Sequence, residues 1–231
     1  MINLSERSDT KELLDSNNIP FADIKQNLKE LNKINTLLGG HKITIQGVKK
    51  ILGIINNEVT ICEIGCGGGD NLAAIAKWCR SVNIKAQFIG IDIKKECIDF
   101  AQIQYPQLNA TWIVSDYAKV EMSKKPDIIF SSLFCHHFKE EELVKMLQWM
   151  QHNTVKGFFI NDLQRHPLAY HSIKILTALF SRSYLVKNDA PLSVTRGFLK
   201  KDWLRILNSA GINASVKWMW AFRYLVVARK L

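Results

Sequence analysis

At 231 residues, close to half of them hydrophobic, the chain suffices for one α/β domain with a helical addition and is too apolar for a disordered segment. The formal charge of +10 raises nucleic acid as a partner, yet Lys124-Lys125, Lys200-Lys201 and Arg229-Lys230 are separate pairs without an interleaved aromatic stripe. Diffuse charge of this kind argues against nucleic acid, while a basic surface still attracts anionic substrates or a membrane face as a minor alternative. The start lacks the apolar core of a secretion signal and no window approaches the roughly 18 uncharged apolar residues of a membrane span, so a cytoplasmic protein is expected.

Ile24, Leu28, Leu31, Ile34 and Leu38 recur at three- and four-residue steps, predicting an amphipathic helix that stops at Gly39-Gly40. A second helix, from about Ile43 to Ile55, delivers the chain to a first strand. Strands near 59–64, 86–92, 110–115, 127–132 and 157–162 then alternate with helices near 70–81, 95–105, 139–151 and 167–181. Such alternation predicts a doubly wound, mostly parallel sheet with right-handed crossovers. Lys200 to Ala210 reads as another helix, and Ala214–Trp220 with Tyr224–Ala228 as a terminal hairpin. The expected organisation is a helical cap over residues 1–56 and an α/β domain over 57–231 that carries a helical lid at about 163–205.

The first strand ends in Glu63-Ile64-Gly65-Cys66-Gly67-Gly68-Gly69-Asp70. Glycine at every second position lets the backbone take positive φ and approach a ligand closely before a helix opens at Asp70. The dinucleotide fingerprint G-x-G-x-x-G fails, because its last glycine would fall on Asp70. Two later strands also end in acids, Phe88-Ile89-Gly90-Ile91-Asp92 and Ala110-Thr111-Trp112-Ile113-Val114-Ser115-Asp116-Tyr117. This ordered set resembles the class I S-adenosylmethionine (AdoMet) dependent methyltransferases. The resemblance implies a seven-stranded Rossmann-like sheet ending in a reversed strand, with AdoMet held by Glu63, Gly65, Cys66, Gly67, Gly69, Asp92, Ile93, Asp116, Tyr117 and Ser132. Asp92 would take both ribose hydroxyls, a task for a two-oxygen acceptor, and Asp116 the adenine amino group.

Cysteines 62, 66, 79, 97 and 135 are odd in number and lack a C-x-x-C pair, which reads as free thiols in a reducing compartment; no metal site is assigned. Chemistry is expected after the fourth strand, where Ser132-Leu133-Phe134-Cys135-His136-His137-Phe138 replaces the Asn/Asp-Pro-Pro-aromatic pattern of base amino-methylating enzymes. The histidine pair is similar to that of small-molecule methyltransferases of the ubiquinone/menaquinone-biosynthesis type. Imidazole is suited to take a proton from a phenol, so His136 or His137 is the expected general base; the alternative is that one packs on the cofactor and the other caps the helix starting at Glu140. Cys135 is a weaker candidate nucleophile, since apolar neighbours raise a thiol's pKa.

The apolar stretch Leu168 to Phe180 serves as core, as a lid over a hydrophobic acceptor or, third, as a membrane-docking face, with Asp162, Arg165, His166, His171 and Arg196 as the polar groups placed to enter the pocket and a structural salt bridge as the leading alternative for Arg196. Asn27 to His41 also resembles the leader of methyltransferases found beside aromatic polyketide and pigment enzymes. These resemblances imply O-methylation of a phenolic, polyketide-like or quinol metabolite in secondary metabolism, with C-methylation of an activated aromatic ring, which would use the same base, as the alternative. An RNA methyltransferase and a non-catalytic AdoMet-binding protein are the alternatives; the sequence leaves the oligomeric state open.

Overall fold

The computed structural model describes residues 3–16, 18–53 and 58–230. Seven strands form one sheet: β1 (Glu58–Ile64), β2 (Lys85–Asp92), β3 (Ala110–Val114), β4 (Ile128–Ser132), β5 (Gly157–Leu163), β6 (Ser215–Met219) and β7 (Arg223–Arg229). Their spatial order is β3-β2-β1-β4-β5-β7-β6; β1 to β5 are parallel, and β7 runs antiparallel to both β5 and β6. The helices are α1 (Phe21–Leu37), α2 (Gly40–Leu52), α3 (Asp70–Ser81), α4 (Lys95–Gln104), α5 (Glu140–Asn153), α6 (Pro167–Phe180), α7 (Tyr184–Arg196) and α8 (Lys200–Ala210).

Strand periodicity of two sorts the core onto both faces of the sheet. Ile61, Ile128, Phe130, Phe159 and Leu225 meet α2 and α3, while Cys62, Ile129, Phe158, Ile160 and Val226 meet α5 and α8. Phe130 and Phe159 stack with centroids 4.9 Å apart. Gly47 lets α2 lie directly on the Phe159 ring: a Cβ there would come within 2.4 Å. Residues 40–52, expected within a cap, are thus a layer of the sheet's own core.

The expected break between the first two helices falls on Gly39, whose φ of +77° separates α1 from α2. The second helix ends at Leu52; its expected run to Ile55 lies outside the described residues. Residues 182–199 have no helix of their own predicted within the expected helical lid, and α7 forms there with Pro191 inside it. Proline within a helix removes a backbone donor, so this stretch carries a breaker where the structure has a helix. Among the described residues no helix is long and apolar enough to cross a membrane.

Candidate active site

Two cavities open at the carboxyl ends of the parallel strands, where ligands bind in doubly wound sheets. The first, about 370 Å³, lies over the glycine turn. Gly65, Gly67 and Gly69 have φ of +66°, +49° and +76°. A Cβ on Gly65 would strike the Phe134 ring at 2.3 Å and one on Gly69 would strike Trp112 at 2.5 Å, whereas the space over Gly67 is open to Leu28 at 3.7 Å. Asp92 accepts the Gly67 N–H at 2.8 Å on one oxygen and the Lys94 N–H at 2.9 Å on the other. Each oxygen keeps a lone pair for a ligand hydroxyl. Burial raises the Asp92 pKa, opposed by these two N–H groups and by Lys94.

Gly65, Cys66, Gly67, Asp92, Ile93, Asp116, Tyr117 and Ser132 all stand on this wall. Tyr117 packs edge-on to Phe134, Phe138 and Trp149, and burial together with Asp116 pushes its hydroxyl up to about 12. Gly69 and Glu63 are off the wall. Gly69 lies behind the turn against Trp112. Glu63 is fully buried, and burial, reinforced by Asp70, lifts its carboxyl well above the ordinary range. It accepts Asn71 Nδ2 at 2.9 Å and leaves Oε2 without a partner. An open cradle over Gly67 and two acids with free lone pairs fit a ligand bearing hydroxyls and amino groups.

The second cavity, about 360 Å³, is walled by Leu31 and Ile34 of α1 and Leu38 just after it, by Ala169, Ile173 and Leu176 of α6, and by Val186, Ala190 and Val194 of α7. Four residues line both cavities: Leu14, Leu31, Leu133 and His137. Leu133 has a φ of +53°, a left-handed conformation unfavourable for a branched side chain by about 1–2 kcal/mol, at the point where β4 ends between the two spaces.

The histidine pair sits at this junction in a 3-10 turn, Cys135–His137. His136 is buried; its Nδ1 is 2.8 Å from Asp162 and its Nε2 3.4 Å from Glu12. Burial opposes its charging, but Asp162 and Glu12 outweigh burial and raise it to about 9. Burial likewise raises Glu12, yet His136, His137 and Ser193 hold it below the ordinary range. His137 is more open, with Nδ1 3.2 Å from Asp15 and Nε2 3.7 Å from Glu12. Neither histidine caps α5: the Lys139 N–H is taken by Glu142 at 2.8 Å. Cys135 is fully buried, and burial with Asp162 raises its thiol far above the physiological range, so it is no nucleophile.

The five expected pocket residues stand apart from the cavity wall. Asp162 orients His136. Arg196 donates Nε to the His136 carbonyl at 3.1 Å and Nη2 to the His137 carbonyl at 2.9 Å, fixing the pair from behind. Arg165 joins Leu4, Ser5 and Gly197 carbonyls to Asp202. His166 caps α6 by accepting the Leu168 N–H and stacks on Phe222, and His171 is exposed beside Tyr170.

Sequence reading missed Glu12 and Asp15. They lie in an N-terminal strap without periodicity, held by contacts far along the chain: Asp189 accepts the Leu13 and Leu14 N–H groups, and the strap's own Arg7 donates to the His136 and Phe138 carbonyls.

The strand order, the glycine turn and the acids closing β2 and β3 together define the class I AdoMet-dependent methyltransferase fold. Residues 61–157 match the family model described as a methyltransferase domain, in keeping with that fold. No curated protein matches it in sequence. Among solved structures, the plantazolicin methyltransferase BpumL in complex with SAH is 14% identical, with 91% of this chain and 95% of that one covered and a TM-score of 0.66. A SAM dependent methyltransferase from Aquifex aeolicus is 20% identical over 90% of this chain and 98% of that one, TM-score 0.62. A putative O-methyltransferase from Nostoc punctiforme is 15% identical over 90% and 60%, TM-score 0.63. At these identities the likeness is one of fold.

Proposed function

We propose that this enzyme methylates a hydroxyl of a small hydrophobic or aromatic acceptor, such as a phenolic, polyketide-like or quinol metabolite, with AdoMet as donor. The observation that carries the reading is the junction: His137 lines both the glycine-turn crevice and the apolar cavity. When bound, AdoMet supplies an electrophilic methyl group on a sulfonium that needs no acid to leave. Asp92 and Asp116 are the residues to hold its ribose and adenine, and the glycine turn admits its amino-acid end. The acceptor occupies the apolar cavity, roofed by α6 and α7 of the 163–205 lid.

His137 takes the acceptor's hydroxyl proton as the oxygen–methyl bond forms and the sulfur–methyl bond breaks, with the bonding pair staying on sulfur. Asp15 orients the ring, and Glu12 and Asp15 stabilise the imidazolium that results. His136 suits the base role poorly, because at about 9 it already carries its proton at neutral pH. Holding both reactants in line can contribute up to roughly 7–11 kcal/mol in ideal cases.

The test is calorimetric titration with S-adenosylhomocysteine, then methyl transfer to a panel of naphthols, catechols, quinols and hydroxyaromatic acids. Micromolar binding that weakens at least about tenfold in Asp92→Ala is expected, since hydrogen bonds to a charged group contribute about 1.5–3 kcal/mol. Wild-type protein that binds S-adenosylhomocysteine but methylates no member of the panel would overturn the acceptor class.

A further inference from the structure

The apolar cavity carries a charge that the protein does not neutralise. Arg223 opens β7, is 3% exposed and lies on the cavity wall. Its Nη2 donates to Asn35 Oδ1 at 2.8 Å, and its Nη1 makes a long 3.5 Å contact with Asn161 Oδ1; both acceptors are neutral amides. No described carboxylate forms an ion pair with it. The two acids whose charge reaches it are committed elsewhere, Asp162 to His136 and Asp70 to His41, each at 2.8 Å. The guanidinium also sits against the start of α2, where a Cβ on Gly40 would be 3.0 Å from both Nη atoms and no side chain caps the helix. The positive end of that helix adds to the local potential.

A second group on the same wall is unsatisfied. Asn27 is buried, and its Oδ1 has no hydrogen-bond partner. The acids on the wall, by contrast, are already used: Glu12 by Ser193 and His136, Asp189 by two N–H groups. Buried charges are normally paired, so a cation without an acidic partner in an otherwise apolar lining marks where an anionic group completes the pairing, and Asn27 Oδ1 is an acceptor left for a donor on the same ligand.

We infer that the acceptor is an acid, carrying a carboxylate that pairs with Arg223 while its hydroxyl faces His137. The planar fork of a guanidinium matches a carboxylate, and the surrounding apolar wall excludes the water that would otherwise weaken the pair. The inference rests on reading this cavity as the acceptor site.

The test is titration of protein saturated with S-adenosylhomocysteine by a matched pair, 3-hydroxy-2-naphthoate and 2-naphthol, in wild type, Arg223→Gln and Arg223→Lys, with thermal melts checking the fold. Wild type is expected to bind the acid about 10- to 100-fold more tightly than the naphthol, the worth of a charged hydrogen-bonded pair. Arg223→Gln removes that preference, weakening the acid about 10- to 100-fold more than the naphthol; Arg223→Lys keeps part of it. Equal binding of the two by wild type, binding of neither, or a preference that survives in Arg223→Gln overturns the inference. The wild-type comparison decides even if the variants fail to fold. Methyl transfer to neutral phenols alone would sink the anionic acceptor while sparing the methyltransferase reading; absence of S-adenosylhomocysteine binding would strike that reading itself.

Discussion

His136 and His137 are adjacent in the chain and chemically different in the fold. His136 is clamped between Asp162 and Glu12 and raised to about 9, while His137 lies on the wall of both cavities. Removing a general base costs about 10²–10⁴ in rate, whereas removing a buried ion-pair partner costs stability. We therefore expect His137→Gln to lower kcat about 10²- to 10⁴-fold on the best acceptor of the panel and to leave S-adenosylhomocysteine affinity within about threefold. His136→Gln is expected to lower the melting temperature first; a His136 variant with full stability and the larger loss of kcat would reverse the assignment. The pair was visible in the sequence, but two neighbouring imidazoles read alike until their partners, supplied by β5 and the N-terminal strap, are in place.

At the scale of elements, local pattern was the better guide. The glycine turn was legible because positive φ and close approach exclude other residues, and Gly65 and Gly69 meet both demands. The α1 stripe was legible as a helix, but its destination was not. Ile24 and Leu28 reach the core, whereas Leu31, Ile34 and Leu38 stay partly exposed and wall the apolar cavity. Ile34→Ala is accordingly expected to cost under about 1 kcal/mol in denaturant unfolding while raising the acceptor's KM, against about 2–5 kcal/mol for Leu147→Ala in the fully buried face of α5. Equal destabilisation by the two would place Ile34 in the core. The opposite error occurred at α7, where Pro191 masks a helix whose Asp189, Ser193 and Arg196 anchor the strap and the histidine turn.

Across the whole molecule, one ionic cluster joins three distant segments: Glu12 in the strap, His136 after β4 and Asp162 in β5. The folded state binds the His136 proton more tightly than the unfolded chain does, about 9 against 6.5. Stability from this cluster is therefore fully present below about pH 6.5 and is lost as pH rises to about 9, on the order of 3 kcal/mol. Melting temperatures followed by circular dichroism should fall across that interval in wild type. His136→Gln, less stable at pH 6, should lack this decline; an identical slope in both proteins would assign it to other groups.

The sequence by itself determined the α/β alternation, the glycine turn, the two acids that close β2 and β3 and the histidine pair, because each depends on periodicity, backbone conformation or position at a strand end. Only the tertiary structure decided that His137 faces both cavities, that Glu12 and Asp15 serve the pair, that Arg165 is a clamp and that Arg223 stands unpaired in an apolar wall. Those properties depend on which groups remain without partners after every long-range contact has formed, and no local pattern carries that information.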